Sequence, residues 1–461
     1  CLLSCEMSSS RPNVFSSSKW LKRSDVDPNC AVPSPPSKQK VFHGWFITVA
    51  AFCTFGISVG FPYYNIPFFF DYFEIPPEQG GFGWSREQVT LGFPLSALLT
   101  LWVGPLLVHR YSPRKAIVFG TGLIALALVG FGRMGGEMWL YYLFWFISTV
   151  GYIFSGPIPH QVIISQWFRR LRGRAMGVTY VGVAVFGSAG SYLVKPLVEG
   201  IGFHTALQIM GVLLLLAWPF AIFILRDRAA DMGLHPDGED PQSLRPAEKP
   251  QGLAHLLRQP AFYLLAIGSF CSIGSIGAVN QHMKLVFKDQ GFVEQEVLNS
   301  VWRTASILIL WASIAGRLGM GWASDRFSKK YVMVITYVLV AMAIPLLLLV
   351  SPERPGYVYI FAILFGFALG ADYMLIPLMA ADQFGVPTLV RAMSVILPFD
   401  TIGQTWFPYF VSLLRTRLGG YDRAFVAVFA LAMAGAAAIA LLPKPKRDEG
   451  GSSEESSTSG A

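Results

Sequence analysis

Charged residues are scarce in this chain. Asp, Glu, Lys and Arg make up only 14% of its 461 residues, while 53% are hydrophobic. Soluble globular proteins carry about 25% charged residues, so this composition excludes an ordinary water-soluble domain. The apolar residues gather in runs of about 20, the length that a helix needs to cross a bilayer. We therefore predict an integral membrane protein.

Cysteine is rare too, and recognisable catalytic motifs are missing. Three of the five cysteines precede the first apolar run, and Cys53 and Cys271 lie inside such runs, which gives neither a disulfide framework nor metal-ligand spacing. No G-x-x-x-x-G-K-[ST] phosphate loop occurs, so the chain carries no ATPase of that type. The sequence GISVG (56–60) fits the G-x-S-x-G elbow, but it stands within an apolar run. We predict no enzyme, no cofactor and no metal.

Twelve apolar runs are long enough to span a membrane. They occupy residues 44–68, 88–108, 116–134, 139–165, 175–199, 204–225, 261–286, 296–321, 331–350, 357–380, 391–415 and 423–443. Gly and Pro interrupt several runs, as in GFPYYNIPFFF (60–70) and SGPIPH (155–160), which packed membrane helices tolerate. The predicted fold is an all-α membrane protein with twelve transmembrane helices.

The formal charge of +8 is distributed unevenly along the chain. Basic residues fall in alternate loops, namely 109–115, 169–174, 226–258, 326–330 and 444–447. This alternation is the positive-inside pattern and gives no reason to expect a nucleic-acid partner. We expect a plasma-membrane protein with both termini in the cytoplasm.

The two ends of the chain have a different composition from the runs between them. Residues 1–40 are rich in Ser, Pro and Lys, and residues 444–461 are rich in Ser, Glu and Gly, so we expect disordered cytoplasmic tails. Residue 1 is Cys, and we expect translation to start at Met7 or upstream.

The second half of the chain repeats landmarks of the first. The matched segments are HRYSPRK (109–115) with DRFSKK (325–330), FCTFG (52–56) with FCSIG (270–274), and RAMGV (174–178) with RAMSV (391–395), at offsets of 216, 218 and 217. We therefore predict two six-helix halves, 41–225 and 261–443, joined by a cytoplasmic linker, 226–260. Such repeats place a substrate site between the halves, which rock against each other.

The loop between the eighth and ninth runs carries a distinctive pattern. Its residues are Gly321, Asp325, Arg326, Ser328, Lys329 and Lys330. Over residues 44–443 this pattern and the repeat resemble the major facilitator superfamily. The resemblance implies a secondary transporter that works as a monomer, with this loop as a charge clasp that gates it. The other interpretation is that the loop is only a topology signal.

The first copy of this pattern departs from the family. Gly104, Arg110, Arg114 and Lys115 remain, but His109 stands where the family has an acid. The resemblance therefore implies a weaker or pH-sensitive first clasp.

Five segments resemble the oxalate/formate antiporter and monocarboxylate transporter branch. They are HGWFITVAAF (43–52), GFGWSREQV (81–89), WFRRLRGRAMGV (167–178), RAADMGLHPDG (228–238) and QPAFYLL (259–265). The resemblance implies that Arg317 in the eighth run contacts a substrate carboxylate. Ser313 replaces the acid found one turn earlier in monocarboxylate transporters, and Asp400 stands where the antiporters carry a lysine.

Ionisable residues inside the runs are candidates for function. Each costs roughly 2.5–3.5 kcal/mol at bilayer depth, so such residues usually face a cavity. Arg303 and Arg317 are 14 positions apart, about four helical turns, and both are candidate substrate contacts; otherwise Arg317 belongs to the clasp and Arg303 to the headgroup region. Asp372 and Asp400 are candidate proton carriers, or else each neutralises an arginine.

Neutral polar residues supply the remaining candidates. Tyr63, Tyr64 and Asn65 in the first run, and Asn280 and His282 in the seventh, can hydrogen-bond a substrate. Aromatic packing at the membrane interface is the competing interpretation for the tyrosines.

The sequence favours a secondary active transporter for a small organic anion such as a monocarboxylate, coupled to protons or to counter-anion exchange. One alternative is an exporter of drugs or neutral metabolites with the same fold. Another is a membrane sensor that binds a ligand without moving it and signals through the linker.

Overall fold

The computed structural model describes residues 42–99, 111–238 and 251–443. These residues are almost entirely helical and form no β-strand beyond one isolated bridge between Ser351 and Arg354. Eleven described helices are long and apolar enough to cross a membrane, which confirms the all-α membrane fold. The predicted second span is described only as far as residue 99, and Gly104, His109, Arg110 and both predicted tails lie outside the described residues.

We number the spanning helices α1 to α12 in chain order. They are α1 (Gly44–Asn65), α2 (Gly92–Leu99, its described part), α3 (Pro113–Phe131), α4 (Met138–Trp167), α5 (Arg172–Ile201), α6 (Phe203–Ile224), α7 (Pro260–Asp289), α8 (Gln295–Arg326), α9 (Lys329–Leu348), α10 (Tyr357–Phe384), α11 (Leu389–Leu418) and α12 (Tyr421–Ala440). Short helical turns at Ile66–Phe69, Phe70–Glu74, Pro77–Gln79 and Arg86–Thr90 join α1 to α2.

Two of the described helices that line the central cavity, α1 and α4, are irregular in their middle. A π-helical turn, Gly56–Gly60, interrupts α1 at the GISVG sequence. In α4, Gly156 leaves helical geometry (φ −84°, ψ −146°) just before Pro157, which cannot donate a backbone hydrogen bond. Such irregular turns inside helices frequently mark functional sites, and both lie beside the central cavity described below.

Three apolar cores hold the bundle together. One large core contains residues of both halves, including Met176 of α5 and Met374 of α10. It lies at the end of the bundle where α5 begins and α8 ends, which we call the basic end because the arginine-rich loop 169–174 is there. At the opposite end each half has its own core, around Tyr141 in the first half and Phe361 in the second. The halves are therefore packed together at the basic end and separate at the other.

Candidate functional site

A cavity of about 810 Å³ lies between the two halves, on the side opposite the basic end. The first half contributes residues of α1 to α4, and the second half contributes residues of α7 and α11. The lining includes Ser58, Tyr63, Tyr64, Trp145, Ser148, Thr149, Tyr152, Gln281, His282, Gln404, Thr405 and Tyr409. Its position matches the site expected between two repeats.

The described lining of this cavity contains no Asp, Glu, Lys or Arg side chain. It offers phenol and aliphatic hydroxyl groups, two glutamine amides and aromatic faces. These groups suit a ligand with an apolar body and a few hydrogen-bonding atoms.

Arg317 is only 5% exposed and lies outside the described cavity lining. Its guanidinium donates to Ser313 Oγ (2.8 Å) and hydrogen-bonds Tyr64, while its Nε is buried without an acceptor. The phenol groups of Tyr64, Tyr180 and Tyr373 surround it, and Tyr64 also lines the cavity. Among the described residues, no carboxylate lies within ion-pair distance of this arginine. A buried guanidinium without a counter-charge is suited to receive an anion.

The structure divides the predicted neutral contacts into two groups. Tyr63, Tyr64 and His282 line the cavity, whereas Asn65 and Asn280 do not. The Asn65 amide donates to Phe61 O (2.7 Å) and Gly187 O (3.0 Å), so it holds α1 against α5.

Asn280 is exposed away from the cavity, and its neighbour Gln281 lines the cavity in its place. Successive residues of a helix point about 100° apart, and the rotation of α7 decides which of the two faces inward. Arg303 is exposed and lies outside the described cavity lining, although it occupies the same helix as Arg317.

His282 faces the cavity but both of its ring nitrogens are engaged. Nε2 lies 2.8 Å from Pro408 O and must donate there, since a carbonyl only accepts, and Nδ1 lies 2.9 Å from the Tyr421 hydroxyl. The ring therefore ties α7 to α11 and α12 at the open end.

Several lining residues were not predicted from the sequence. Ser148, Thr149 and Tyr152 of α4 and Gln404 and Thr405 of α11 are polar residues within otherwise apolar helices. Ser148 and Tyr152 are four positions apart, which places them on one helix face, and this signal was available in the sequence.

The two predicted proton carriers lie deep in the second half. Asp372 of α10 and Asp400 of α11 are 0% and 2% exposed. Asp372 accepts a hydrogen bond from Ser272 Oγ (2.6 Å) and Asp400 from Ser269 Oγ (2.7 Å). Neither forms an ion pair with a described basic residue, Arg317 included.

Asp325 connects the halves at the basic end. Its carboxylate accepts from the backbone N–H groups of Gly173 (2.6 Å) and Arg174 (3.0 Å), and Arg174 Nε lies 3.6 Å away. These N–H groups belong to the first turn of α5, where a helix has unpaired donors and a positive dipole end. A carboxylate of the second half thus caps a helix of the first.

The other residues of this loop act within the second half. Lys329 pairs with Asp382 at 2.8 Å, Lys330 Nζ donates to Leu442 O at 2.6 Å, and the Arg326 guanidinium lies over the Trp322 ring. The two lysine contacts fix the start of α9 against the ends of α10 and α12, and the arginine contact lies within α8.

The described part of the first copy stays within the first half. Arg114 donates through its side chain to Ala221 O and Ile222 O at the end of α6, and its backbone N–H donates to Asp227 Oδ1 (2.8 Å). Lys115 is exposed. Only the second copy forms a described connection between the halves.

Replacing Asp325 with Asn should weaken closure of the basic end. The change removes the charge that caps α5, and hydrogen bonds to a charged partner contribute about 1.5–3 kcal/mol. We expect about ten-fold faster maleimide labelling of a cysteine placed at Ser324, a 2% exposed residue, in a background without native cysteines. Asp289→Asn is the control, because its ion pair with Arg415 lies within the second half; equal labelling of the two variants would contradict the clasp.

A model of the Major Facilitator Superfamily matches residues 45–319 and 301–459 of the chain. The Fujikurins efflux protein of Gibberella fujikuroi is 23% identical over 449 residues, which cover 93% of this chain and 90% of that protein. Human monocarboxylate transporter 10 is 23% identical over 345 residues, covering 72% of this chain and 64% of that protein.

Two solved structures share the fold at low identity. The E. coli fucose:proton symporter superimposes with a TM-score of 0.64 at 14% identity, covering 87% of this chain and 98% of that one. A human organic anion transporter gives a TM-score of 0.66 at 12% identity, covering 88% and 100% of the two chains. At these identities the likeness concerns the fold alone.

Proposed function

The chain belongs to the Major Facilitator Superfamily, and from that premise we propose that it is a secondary active transporter for a small organic anion, foremost a monocarboxylate. It would work by alternating access, as a monomer, with the cavity between its halves as the substrate route. Energy would come from a proton gradient or from exchange against a counter-anion.

The observation that supports this proposal is the buried environment of Arg317, which provides no counter-charge among the described residues. Its guanidinium is buried without a described carboxylate partner, and its Nε has no acceptor. A planar guanidinium forms a charge-assisted, bidentate pair with a carboxylate, so an anionic substrate would satisfy both the charge and the free donor. Tyr64 and Tyr63 would contact the rest of the substrate from the cavity wall.

The arrangement of cores supports alternating access. The halves share one core at the basic end and have separate cores at the other, so the structure is closed on one side and open on the other. We propose that the basic end faces the cytoplasm, which would place both termini there, and that the membrane is the plasma membrane. Opening that end would break the cap that Asp325 forms on α5.

A larger, less polar cargo is the second candidate. The cavity has aromatic and neutral polar walls, and its volume of about 810 Å³ is larger than a two- or three-carbon acid requires. The similarity to the Fujikurins efflux protein, which spans most of both chains, supports export as the direction of transport for this candidate. In this case Arg317 would bind one acidic group of a larger organic molecule.

Uptake by proteoliposomes distinguishes these candidates. Radiolabelled lactate, formate and oxalate would be offered with an imposed pH gradient or with internal unlabelled acid, and lactamide would be the uncharged competitor. We expect uptake of at least one monocarboxylate that excess lactate inhibits and lactamide does not. Failure of every acid under both driving forces would reject the small-monocarboxylate proposal, and displacement of a bound fluorescent aromatic acid would then favour the larger cargo.

A further inference from the structure

Four helices of the second half bring five oxygen-bearing side chains together in one place. They are Ser269 and Ser272 of α7, Tyr337 of α9, Asp372 of α10 and Asp400 of α11, and each is at most 2% exposed. We propose that this group, the carboxyl-pair cluster, is a single binding site for one small monovalent cation, H⁺ or Na⁺. The two aspartates then act as one unit rather than as alternative proton carriers.

The serines place both carboxyl groups against the same face of α7. Ser269 and Ser272 are three residues apart, nearly one helical turn, and they donate to Asp400 Oδ1 and Asp372 Oδ2 respectively. The two carboxyl groups are close enough to repel each other electrostatically. A cation between them would relieve that repulsion.

One polar atom of the cluster has no described hydrogen-bond partner. It is Asp400 Oδ2, which is buried. The Tyr337 hydroxyl hydrogen-bonds the Asp372 carboxyl and also interacts electrostatically with Asp400. Buried polar atoms are nearly always paired in folded proteins, so an unpaired carboxyl oxygen beside a second buried carboxyl group indicates that a ligand completes the site.

The surroundings supply no positive charge. Among the described residues, no Lys, Arg or His side chain lies within ion-pair distance of either aspartate. The other titratable neighbours are Cys271 and Tyr373, and residues 424–440 of the adjacent α12 contain no titratable side chain. A buried, unpaired charge is costly, so the compensating cation must come from solution.

The hydrogen bonds at Asp400 suit a proton as well as a metal cation. Ser269 Oγ lies 2.7 Å from Asp400 Oδ1 and 3.1 Å from Ala266 O, yet the hydroxyl has only one proton. When Asp400 is ionised, the serine donates to it; when Asp400 is protonated, the acid can donate to the serine, which then donates to Ala266 O. A Na⁺ ion would instead take the carboxylate and hydroxyl oxygens as ligands, which hard cations prefer.

The cluster is adjacent to the proposed anion site. Tyr373 follows Asp372 on α10, and its phenol lies near Arg317 and Tyr63. On α11, Gln404 stands one turn beyond Asp400 and lines the cavity. Movement of α10 or α11 on cation binding would therefore reach the anion site, and this coupling role alone rests on the proposed function.

Cation binding can be measured without any transport assay. The purified full chain would be tested for ²²Na⁺ binding and for its unfolding midpoint, first with NaCl replacing choline chloride at constant ionic strength and then from pH 5.5 to 8.5. The variants are Asp372→Asn, Asp400→Asn, the double variant and Tyr337→Phe. The exposed Asp422→Asn is the matched control, because it removes an acid outside the cluster.

We expect each single Asn variant to abolish the cation response as fully as the double variant does, while Asp422→Asn keeps it. Tyr337→Phe, which keeps both carboxyl groups, should weaken the response about ten-fold. A response to Na⁺ at constant pH would identify Na⁺ as the ion, and a response to pH alone would identify the proton. Additive losses in the two single variants would indicate two independent sites, and a response that survives in the double variant would overturn the proposal.

This result is separable from the proposed function. Arg317→Gln should retain the full cation response, because it leaves all five side chains of the cluster in place. A cation response in a protein that transports no acid would leave this site standing and reject only the substrate.

Discussion

Arg317→Gln should abolish carboxylate transport while leaving the empty protein at least as stable as before. The substitution removes a guanidinium that is only 5% exposed and lies next to Tyr64 of the cavity wall. Removing one member of a buried, hydrogen-bonded charge pair costs 2–5 kcal/mol, so we expect substrate affinity to fall by about 100-fold or more. The empty protein should keep or gain stability, because its buried charge has no described counter-ion.

Arg303→Gln provides the matched control for this experiment. It removes the same charge from the same helix at an exposed position outside the described cavity lining. Binding would be followed by scintillation proximity with a labelled acid, and stability by the unfolding midpoint. Equal losses in the two variants, or a large fall in the unfolding midpoint of Arg317→Gln alone, would show that Arg317 does not act through the substrate.

Gly177→Val should hold the basic end open and stop the transport cycle. Gly177 of α5 packs directly on the backbone of α8, and a Cβ atom there would lie 2.5 Å from Arg317 O and 3.2 Å from its carbonyl carbon. The opposing group is backbone and cannot rotate away, so the helices must separate. One turn earlier, Gly173 meets Gly321 and Ser324 at similarly short range.

The effect of this substitution on conformation can be measured directly. In a background without native cysteines, a cysteine at Ser324 should react with maleimide at least about ten-fold faster when Gly177 is Val. That factor corresponds to about 1.4 kcal/mol against the closed form. Transport should fall by about the same factor or more, since both end states of the cycle are needed.

Gly200→Val is the control for this glycine. Gly200 lies on the same helix, and a Cβ atom at this position would meet nothing within 4 Å. We expect it to transport and label like the parent protein. Unchanged labelling in Gly177→Val would mean that the α5–α8 contact does not close the basic end.

Some candidate functional residues were identifiable from the sequence because ionisable side chains are unusual at their positions. Arg317, Asp372 and Asp400 are ionisable groups within apolar runs, and ionisable groups there are rare and usually functional. Asp325 was predictable from the pattern of its loop, but its partner was not. The structure places the first turn of α5 opposite it, 151 and 152 positions away in the chain.

Other features depended on helix rotation, which an apolar stretch does not specify. In α7, Asn280, Gln281 and His282 are consecutive polar residues that point in different directions, so the sequence does not show which of them faces the cavity. Gln281 therefore lines the cavity where Asn280 was predicted. Asn65 similarly proved to be a contact between α1 and α5.

The sequence by itself determined the membrane class, the helix positions, the two-fold repeat and the distribution of charge in the loops. These properties follow from the local balance of apolar and charged residues over about 20 positions, because that balance determines which segments insert into a bilayer and in which orientation. Only the tertiary structure decided that Asp372 and Asp400 meet on one face of α7, that Arg317 lacks a described counter-ion and that Gly177 touches the α8 backbone. The reason is that side-chain partners in a bundle are set by packing between helices far apart in the chain, and each helix is compatible with many such neighbours.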